Sequence, residues 1–351
     1  MDEPWMLYGA NGYTGRLIAR EAARRRLKPI LAGRSQGKIA PLANEFGLEA
    51  RVFDLVDEAQ VAAELKGMKL VLLCAGPFSA TSAPMIAACL RAGTHYLDIT
   101  GEIDVLEHAH QQGSAARAAG IVICPGVGFD VIPTDCVAAS LKSALPDATH
   151  LALGLHSHSN VSPGTAKTLV ESLTRGGKIR KGGKIIAVPL AHSTRRIDFG
   201  EGEKLAMTFP WGDVSTAFYT TGIPNIEVYI TGSRALITAA RSANLIRWLL
   251  EFGLAQTLLK GAIEKTLKGP SHENREGSPS YVWGEASNDK GQVKTARIKT
   301  ANGYNLTMTG ALAIVEHLLQ IQVQGGTYTP ATLVGPNLVV SLPGSGALRI
   351  E

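Results

Sequence analysis

The sequence predicts an α/β protein with an amino-terminal, doubly wound parallel sheet and a second α+β domain with a largely antiparallel sheet. Three observations support this fold class. Between residues 5 and 124, short apolar runs alternate with longer helical patterns, as in repeated βαβ units. After Pro146 the pattern changes to period two, with Leu151, Leu153 and Leu155 alternating with small or polar residues. The length of 351 residues is sufficient for about two domains.

In the first domain, six strands are predicted, with helices between them. The strands cover residues 6–8, 29–32, 50–53, 70–74, 95–98 and 121–124, and the helices cover residues 14–26, 36–46, 57–66, 80–92 and 103–119. Glycine is common just after a helix ends, and it stands there at Gly47, Gly67, Gly93 and Gly120. The alternation of strands and helices indicates a parallel sheet.

The second domain mixes strands and helices. Strands are predicted at residues 151–155, 184–190, 205–209, 226–230, 281–286 and 292–300, and helices from Ser162-Pro163 onward, at about 235–268 and at about 307–323. The short strands joined by turns favour antiparallel pairing.

Composition excludes several classes of protein. With 45% apolar and 19% charged residues, the chain is neither disordered nor fibrous. The four cysteines lie in apolar stretches without the spacing of metal ligands, which indicates buried thiols in a reducing compartment. Together with the absence of an export signal, this predicts a cytoplasmic location.

Neither a membrane span nor a nucleic-acid interface is predicted. The most apolar stretch, 245–263, contains three charged residues, so it does not fit a spanning helix. The stretch 242–267 is expected to pack in the core or in a dimer, and the alternative is a lid or an interfacial helix at a lipid surface. The densest basic run, RGGKIRKGGK at 175–184, has no aromatic residue and favours a solvated hairpin over a nucleic-acid site.

A glycine-rich turn follows the first predicted strand and leads into the first helix. It reads Gly9-Ala10-Asn11-Gly12-Tyr13-Thr14-Gly15. Its spacing departs by one residue from the GxGxxG of dinucleotide-binding turns. Glycine lets the backbone approach a pyrophosphate closely, and the helix start offers free N–H groups. The turn predicts a dinucleotide site, and tight packing is the alternative explanation of its glycines.

The residues after the second strand distinguish between two cofactors. An NAD site has a carboxylate here for the ribose 2′-hydroxyl, whereas an NADP site has an arginine for the 2′-phosphate. The chain has Arg34, with Ser35 and Lys38 close by. A guanidinium group binds a phosphate through two parallel hydrogen bonds. NADP is therefore the predicted cofactor, and the alternative is that Arg34 is an ordinary surface residue.

Two further strand ends extend the predicted cofactor site. Asp54 follows the third strand, where it either faces the adenine or caps the next helix. The fourth strand ends in a turn formed by Ala75, Gly76, Pro77 and Phe78. Because ligands bind beyond the carboxyl ends of strands in open α/β sheets, we expect this turn to line the nicotinamide.

Nine motifs along the chain carry a resemblance to a known family. They are YGANGYTGRL (8–17), LAGRS (31–35), CAGPFS (74–79), YLDITGE (96–102), PGVGFDVIPTD (125–135), SPGTAKTLVE (162–171), FPWGDVSTAFYTTGIPNIEVY (209–229), GPSHENREG (269–277) and GGTYTPA (325–331). On these residues the chain resembles the saccharopine dehydrogenase-like oxidoreductases, in particular the branch with the trans-acting enoyl reductases of lipid biosynthesis.

The resemblance implies a Rossmann domain that binds NADP, a second domain with the substrate site and the contacts of a homodimer, and a C-terminal segment that returns to the first domain. We accordingly place the domains at residues 1–146, 147–324 and 325–351. The resemblance also implies pyridine-nucleotide redox chemistry. It does not fix a substrate, because the family acts on amino-acid imines and on lipid-like enoyl groups.

Four side chains near the ends of the fifth and sixth strands are candidates for a proton donor. They are Tyr96, Asp98, Glu102 and Asp130. Desolvation raises the pKa of a carboxyl group in a cleft, which suits a general acid. The structural alternatives are that Thr100 and Glu102 cap the next helix and that Asp130 caps the helix with Pro133 in its first turn.

Two other groups of residues are candidates for binding. His156 and His158 are two residues apart, which suits a metal chelate, but no third ligand follows and no metal site is predicted. Trp211, Tyr219 and Tyr229 either form an aromatic wall for the substrate or belong to the core.

These observations predict an NADPH-dependent reductase that transfers hydride to a C=C or C=N bond of a mostly apolar small-molecule or acyl substrate. One alternative is an amino-acid dehydrogenase of the saccharopine type, which needs cations such as Arg175, Arg195 and Arg196 for the substrate carboxylates. The other is a regulatory protein that binds NADP without turnover.

Overall fold

The computed structural model describes residues 3–157, 176–250 and 278–351, and for residues 246–250 it describes the backbone alone. These residues form two compact units. Unit 1 consists of Met1–Asp130 and Tyr304–Val334, and unit 2 consists of Val131–Gly303 and Gly335–Glu351. The chain therefore leaves the first unit, builds most of the second, and then returns.

Unit 1 is built on a parallel sheet. Its strands are β1 (Trp5–Tyr8), β2 (Ile30–Gly33), β3 (Ala50–Val52), β4 (Leu70–Leu73), β5 (His95–Asp98), β6 (Val122–Cys124) and β15 (Gly326–Thr327). The strand order is β3-β2-β1-β4-β5-β6-β15, and all neighbours are parallel. The first six strands have the order of a Rossmann sheet, which confirms the predicted doubly wound domain.

Helices connect these strands. They are α1 (Tyr13–Arg24), α2 (Gln36–Phe46), α3 (Glu58–Leu65), α4 (Phe78–Ala92), α5 (Ile103–Gln111), α6 (Gly113–Ala119), α10 (Gly303–Gln320) and α11 (Pro330–Val334). The single helix predicted at 103–119 is two helices, with Gln112 between them. Gly47, Gly93 and Gly120 end α2, α4 and α6 in the left-handed conformation, as predicted.

The strands of the sheet are buried because helices cover them. All residues of β1, β2 and β4 are buried. This explains why the strands read as continuous apolar runs in the sequence, a pattern typical of parallel sheets with two covered faces. Cys89, Cys124 and Cys136 are buried thiols as predicted, while Cys74 at the end of β4 is half-buried.

Unit 2 contains a mixed, mostly antiparallel sheet. Its strands are β7 (His150–Ser157), β8 (Gly177–Lys181), β9 (Lys184–Val188), β10 (Thr194–Asp198), β11 (Glu203–Thr208), β12 (Asn225–Thr231), β13 (Ser280–Ser287), β14 (Val293–Thr300) and β16 (Arg349–Ile350). The order is β10-β11-β12-β7-β13-β14-β16, and the hairpin β8–β9 pairs with β12. Strands β12 and β7 are parallel, whereas the other pairs are antiparallel. The predicted α+β architecture is confirmed.

The helices of unit 2 explain why the units divide the chain differently from the predicted domain bounds. They are α7 (Ile132–Ala144), α8 (Asp213–Thr221), α9 (Arg234–Leu250) and α12 (Leu338–Ser341). Helix α7 packs on β13 so closely that a Cβ atom on Gly284 would lie 2.5 Å from Val137 Cγ1. Unit 2 therefore includes α7 and begins at Val131, whereas the predicted second domain begins at residue 147. The predicted C-terminal segment is also divided, because residues up to 334 belong to unit 1 and residues 335–351 to unit 2.

Some predictions fall outside the described residues. These are the helix at Ser162-Pro163, His158, Arg175, the motifs at 162–171 and 269–277, and the stretch 242–267 beyond residue 250. Helices α8, α11 and α12 and the strands β10, β15 and β16 were not predicted, whereas β8 lies within the run 175–184, for which a hairpin is predicted. In the three described ranges, no helix is long and apolar enough to cross a membrane.

Candidate NADP-binding site

The turn after β1 requires glycine at its first position. Gly9 has φ +81°, and a Cβ atom on it would lie 2.6 Å from the backbone nitrogen of Ala75. Its N–H donates a hydrogen bond of 2.8 Å to the carbonyl of Ala32 at the end of β2. Gly9 therefore brings the ends of β1, β2 and β4 together, and a side chain would separate them.

The start of α1 is left open by the two glycines that follow. Gly12 is the N-cap residue, with φ −70°, and no side chain caps the helix within the described residues. Gly15 is buried, and a Cβ atom on it would overlap the carbonyl oxygen of Gly9. The first turn of a helix carries N–H groups without intrahelical acceptors, so this start can hold an anion.

The other helix starts of unit 1 show which positions suit a phosphate. Helix α2 begins at the N-cap Ser35, again without a side-chain cap or an acidic residue in its first turn. In α3, by contrast, the carboxylate of Asp57 accepts hydrogen bonds from Ala59 N and Gln60 N. In α4, the carboxylate of Glu102 accepts hydrogen bonds from Phe78 N and Ser79 N in the first turn. Among the four helices that follow β1 to β4, the two without carboxylate caps are therefore α1 and α2, next to the glycine turn and Arg34, where a dinucleotide places its pyrophosphate and 2′-phosphate.

Arg34 lies at the carboxyl end of β2, and its side chain is exposed. Burial and the carboxylate of Asp54 raise the pKa of Tyr8 to about 12, and the positive charge of Arg34 acts in the opposite direction. Tyr8 ends β1, Arg34 follows β2 and Asp54 lies just after β3. Since both charges act on the Tyr8 hydroxyl, the three side chains lie at the same edge of the sheet. Asn11 points toward the same edge, since its Oδ1 lies 3.2 Å from the Cβ position of Gly33.

Asp54 does not cap the next helix, contrary to one of the two predicted roles. Its Oδ1 accepts a hydrogen bond of 3.1 Å from Val56 N and so folds the turn after β3. Asp57 is the N-cap residue of α3. A position facing the adenine stays a prediction for Asp54.

The turn after β4 is held by two side chains. The Thr81 hydroxyl donates a hydrogen bond of 2.6 Å to the carbonyl of Ala75, and the Glu102 carboxylate accepts from the N–H groups of Phe78 and Ser79, each at 2.9 Å. Gly76, Pro77 and Lys38 of α2 are exposed, as a role in cofactor binding requires. The ring of Phe78 is instead part of the buried core of unit 1, so we expect its backbone, not its ring, to face the nicotinamide.

Asp98 is completely buried at the end of β5. Its Oδ1 accepts hydrogen bonds from Thr100 N at 2.9 Å and Gly126 N at 2.8 Å, and its Oδ2 accepts one from the hydroxyl of Tyr96 at 2.6 Å. Burial raises the pKa of Asp98 to about 6, although these three hydrogen bonds lower it. Burial also raises the pKa of Tyr96 well above its usual value. Both side chains are committed to contacts inside the protein.

Glu102 and Asp130 also differ from the predicted capping roles. Glu102 is the N-cap residue of α5, but its carboxylate caps α4 instead. Asp130 precedes α7, whose N-cap is Val131 and which has no side-chain cap. The Asp130 side chain is half-buried and lies against Gly101, where a Cβ atom would be 2.9 Å from its Oδ2. Desolvation raises the pKa of Asp130 to about 6.

Helix α10 adds residues to this end of unit 1 that sequence reasoning missed. The Thr307 hydroxyl accepts a hydrogen bond of 2.9 Å from Phe129 N, in the loop after β6. The ring of Tyr304 contacts that of Tyr13, the first residue of α1, edge to face at 5.0 Å. A helix was predicted close to these positions, but no local signal assigned it to the first unit.

The comparisons with known proteins agree with this geometry. Residues 5–124 match the family model of the saccharopine dehydrogenase NADP binding domain. This range is similar to the NADP binding domains of saccharopine dehydrogenases. The cofactor is NADP, and the predicted glycine turn and Arg34 both lie within the matched range.

The similarity continues beyond this NADP-binding domain. The trans-acting enoyl reductase of Mycobacterium ulcerans is 29% identical over 215 residues, which are 54% of this chain and 49% of that protein. The trans-acting enoyl reductase of Mycobacterium bovis BCG is 24% identical over 404 residues, covering 98% of this chain and 96% of that protein. The chain thus spans about half the length of the first relative and nearly all of the second.

The fold is that of saccharopine dehydrogenase. The apo structure of the L-Glu-forming saccharopine dehydrogenase from Saccharomyces cerevisiae superposes with a TM-score of 0.68, at 10% identity, over 99% of this chain and 100% of that one. The likeness covers both units, each of which has its counterpart in that enzyme's fold.

The candidate residues of unit 2 that the structure describes have different partners. His156 donates to or accepts from Thr231 at 2.9 Å and stacks on Tyr281. Trp211 packs on Phe209, whereas Tyr229 is buried in a different cluster. Tyr219, the third residue of the predicted aromatic wall, is 39% exposed and contacts Phe218.

Proposed function

We propose that this protein is an NADPH-dependent reductase that transfers hydride to a C=C or C=N bond of a mostly apolar substrate. The NADP-binding domain and the alignment with trans-acting enoyl reductases over nearly the whole chain support this proposal. The bound cofactor supplies the hydride, and the chain supplies orientation and a proton.

The observation that carries the proposal is the state of Asp130. Among the four predicted proton donors, Tyr96, Asp98 and Glu102 are buried, and Asp130 is partly exposed. Its raised pKa of about 6 lets it keep its proton up to about pH 6, where an ordinary aspartate is ionised, and a general acid must carry a proton. Asp130 also follows β6, at the edge of the sheet where ligands bind.

The amino-acid dehydrogenase alternative is disfavoured by the arginines it would use. Arg195 forms a two-pronged ion pair with Glu285, at 3.1 Å, and its guanidinium lies 4.6 Å from the ring centre of Trp283. Arg196 follows it on the same strand and is therefore directed to the opposite face of the sheet. Arg195 is thus already paired with a carboxylate of the protein. Arg175 lies outside the described residues.

A substrate panel tests the proposal. Enoyl thioesters of several chain lengths, cyclic imines and amino-acid-derived imines are incubated with protein and NADPH, and the loss of dihydronicotinamide absorbance is followed. We expect turnover of an apolar enoyl or imine compound and none with carboxylate-rich imines. Binding of NADPH without oxidation across the whole panel would favour the regulatory alternative.

The Asp130→Asn variant tests the proton donor. Loss of a general acid lowers the rate by about 100- to 10,000-fold, whereas the Kd for NADPH should stay within about twofold of the wild-type value, because the residue does not hold the cofactor. Asp104→Asn, at an exposed carboxylate of α5 in the same unit, is the matched control. Equal activity of the two variants would remove Asp130 from the mechanism.

A homodimer is part of the proposal as well. The chain has a mass of 37.1 kDa. Light scattering after size-exclusion chromatography should give about twice this mass. A monomer at micromolar concentration would contradict it.

A further inference from the structure

The loop between β5 and α5, residues 99–102, is joined to both neighbouring loops by carboxylates at its two ends. In the sheet, β5 lies between β4 and β6. Glu102 binds the start of α4, which follows β4, and Asp98 binds the loop that follows β6. The three loops therefore form one hydrogen-bonded unit at the carboxyl edge of the sheet.

On the β4 side, both oxygens of Glu102 are used. Oε1 accepts from Phe78 N and Oε2 accepts from Ser79 N, each at 2.9 Å. The acceptor is a buried carboxylate at a helix N-terminus, where negative charge is favourable. These two bonds fix the first turn of α4, and with it the position of Gly76 and Pro77, which precede that turn.

On the β6 side, Asp98 acts through both its side chain and its backbone. Its Oδ1 accepts from Gly126 N at 2.8 Å, and its carbonyl accepts from Val127 N at 2.7 Å. Gly126 has φ +75°, so the loop bends sharply where the carboxylate holds it. The same loop continues to Phe129 and Asp130.

We propose that Glu102 and Asp98 are positioning residues that set the two loops between which the nicotinamide is held. This inference rests on the proposed function, since it assumes that the nicotinamide lies at the ends of β4 and β6. Neither carboxylate reaches the reacting atoms, because each is buried and accepts hydrogen bonds from backbone N–H groups with Oδ1 or with both Oε atoms.

The two residues differ in which substitution they tolerate. Asparagine at position 98 can keep the bonds from Thr100 and Gly126 at its oxygen and donate from its amide to the oxygen of Tyr96. Glutamine at position 102 cannot keep both bonds, because its amide nitrogen would face an N–H donor. If one of these residues were instead the proton donor, its amide variant, Asp98→Asn or Glu102→Gln, would be inactive.

The experiment measures binding of NADPH and of 2′-phospho-ADP-ribose, a fragment that lacks the nicotinamide. Glu102→Gln should weaken NADPH binding about tenfold, the effect of losing one hydrogen bond to a buried charged group. Binding of the fragment should change by less than about twofold, and the fluorescence of bound NADPH should shift toward that of free NADPH. Asp57→Asn is the control for the loss of a carboxylate charge at a helix start, because Asp57 accepts from Ala59 N and Gln60 N with Oδ1 alone and the asparagine oxygen can keep both bonds.

The Asp98 variants supply a second test. Asp98→Ala should weaken NADPH but not the fragment, and Asp98→Asn should restore most of the lost affinity and fluorescence. If Glu102→Gln does not fold, Glu102→Asp replaces it, since it keeps the charge at the helix start but is too short to reach both N–H groups.

Three results would overturn the inference. They are wild-type NADPH affinity and fluorescence in a folded Glu102 variant, an equal loss for NADPH and for the fragment, and an Asp98→Asn variant as impaired as Asp98→Ala. The assay needs no substrate, so a wild-type protein that reduces nothing would refute the proposed reaction and leave this test intact.

Discussion

Replacing Gly12 with alanine separates the two explanations of the glycine turn. Gly12 has φ −70°, a conformation that alanine adopts freely, and its Cβ position lies 3.3 Å from the carbonyl oxygen of Gly9. Gly9, in contrast, has φ +81° and backbone atoms 2.6 Å from its Cβ position. The fold therefore requires glycine at position 9 but not at position 12, where a need for glycine would come from the ligand.

The sizes of the two effects follow from these contacts. Gly12→Ala should cost about 1 kcal/mol of unfolding free energy, the difference between glycine and alanine at an N-cap. Gly9→Ala adds about 1–2 kcal/mol for the left-handed backbone to the cost of moving β4, and it should cost about 3 kcal/mol or more. A methyl group at Gly12 stands where the pyrophosphate approaches the helix start, so NADPH binding should weaken by about tenfold or more.

Urea unfolding and fluorescence titration with NADPH measure the two quantities on the same preparations. We expect Gly12→Ala to be nearly as stable as the wild type and to bind NADPH poorly. A stable Gly12→Ala protein with unchanged affinity would refute the reasoning and would leave packing as the reason for this glycine.

Three further predictions concern charged side chains. Arg34→Ala should raise the Kd for NADPH about 10- to 100-fold, the effect of losing charged hydrogen bonds, and that for NADH by less than about threefold; equal losses by calorimetry would contradict the assignment. Because the pKa of Asp98 rises from 3.8 to about 6 on folding, the protonated carboxyl group contributes its full stabilisation of the fold below pH 3.8. This contribution is lost as the pH rises through 6. Wild-type unfolding free energy should therefore fall between pH 4 and pH 7 by about 3 kcal/mol more than that of Asp98→Asn, and parallel urea curves at both pH values would contradict this. If protonated Asp130 is the acid, turnover should fall about tenfold per pH unit above its pKa of about 6, and a rate that stays constant up to pH 8 would exclude it.

Much of unit 1 could be predicted because its signals are local. The apolar runs of β1, β2 and β4 are buried on both faces, so composition alone marks them as strands. Gly15 is required by backbone contacts with Gly9 and Ala10 in its own turn, and Gly9 has the positive φ of +81° that favours glycine. Arg34 could be found by counting from that turn, since the order of strand, turn, helix and strand sets its place.

The remaining features depend on contacts between distant residues. The sequence leaves Glu102 as a candidate proton donor or as a cap of its own helix, yet its carboxylate caps α4, and nothing in the local sequence indicates that contact. The Thr307 hydroxyl accepts a hydrogen bond from Phe129 N, although the two residues are 178 positions apart in the sequence. The predicted first domain, residues 1–146, includes helix α7 because the period-two pattern begins only after Pro146, but Val137 and Leu141 pack on β13. Sequence periodicity predicts that a face is buried, not which sheet buries it.

The most direct test of the proposed reaction is hydride transfer itself. NADPH deuterated at C4 is incubated with the protein and with apolar enoyl and imine compounds, and the products are analysed by mass spectrometry. The account predicts a reduced product that is heavier by one deuterium, formed with NADPH far faster than with NADH. Bound NADPH that transfers deuterium to none of these compounds would contradict it.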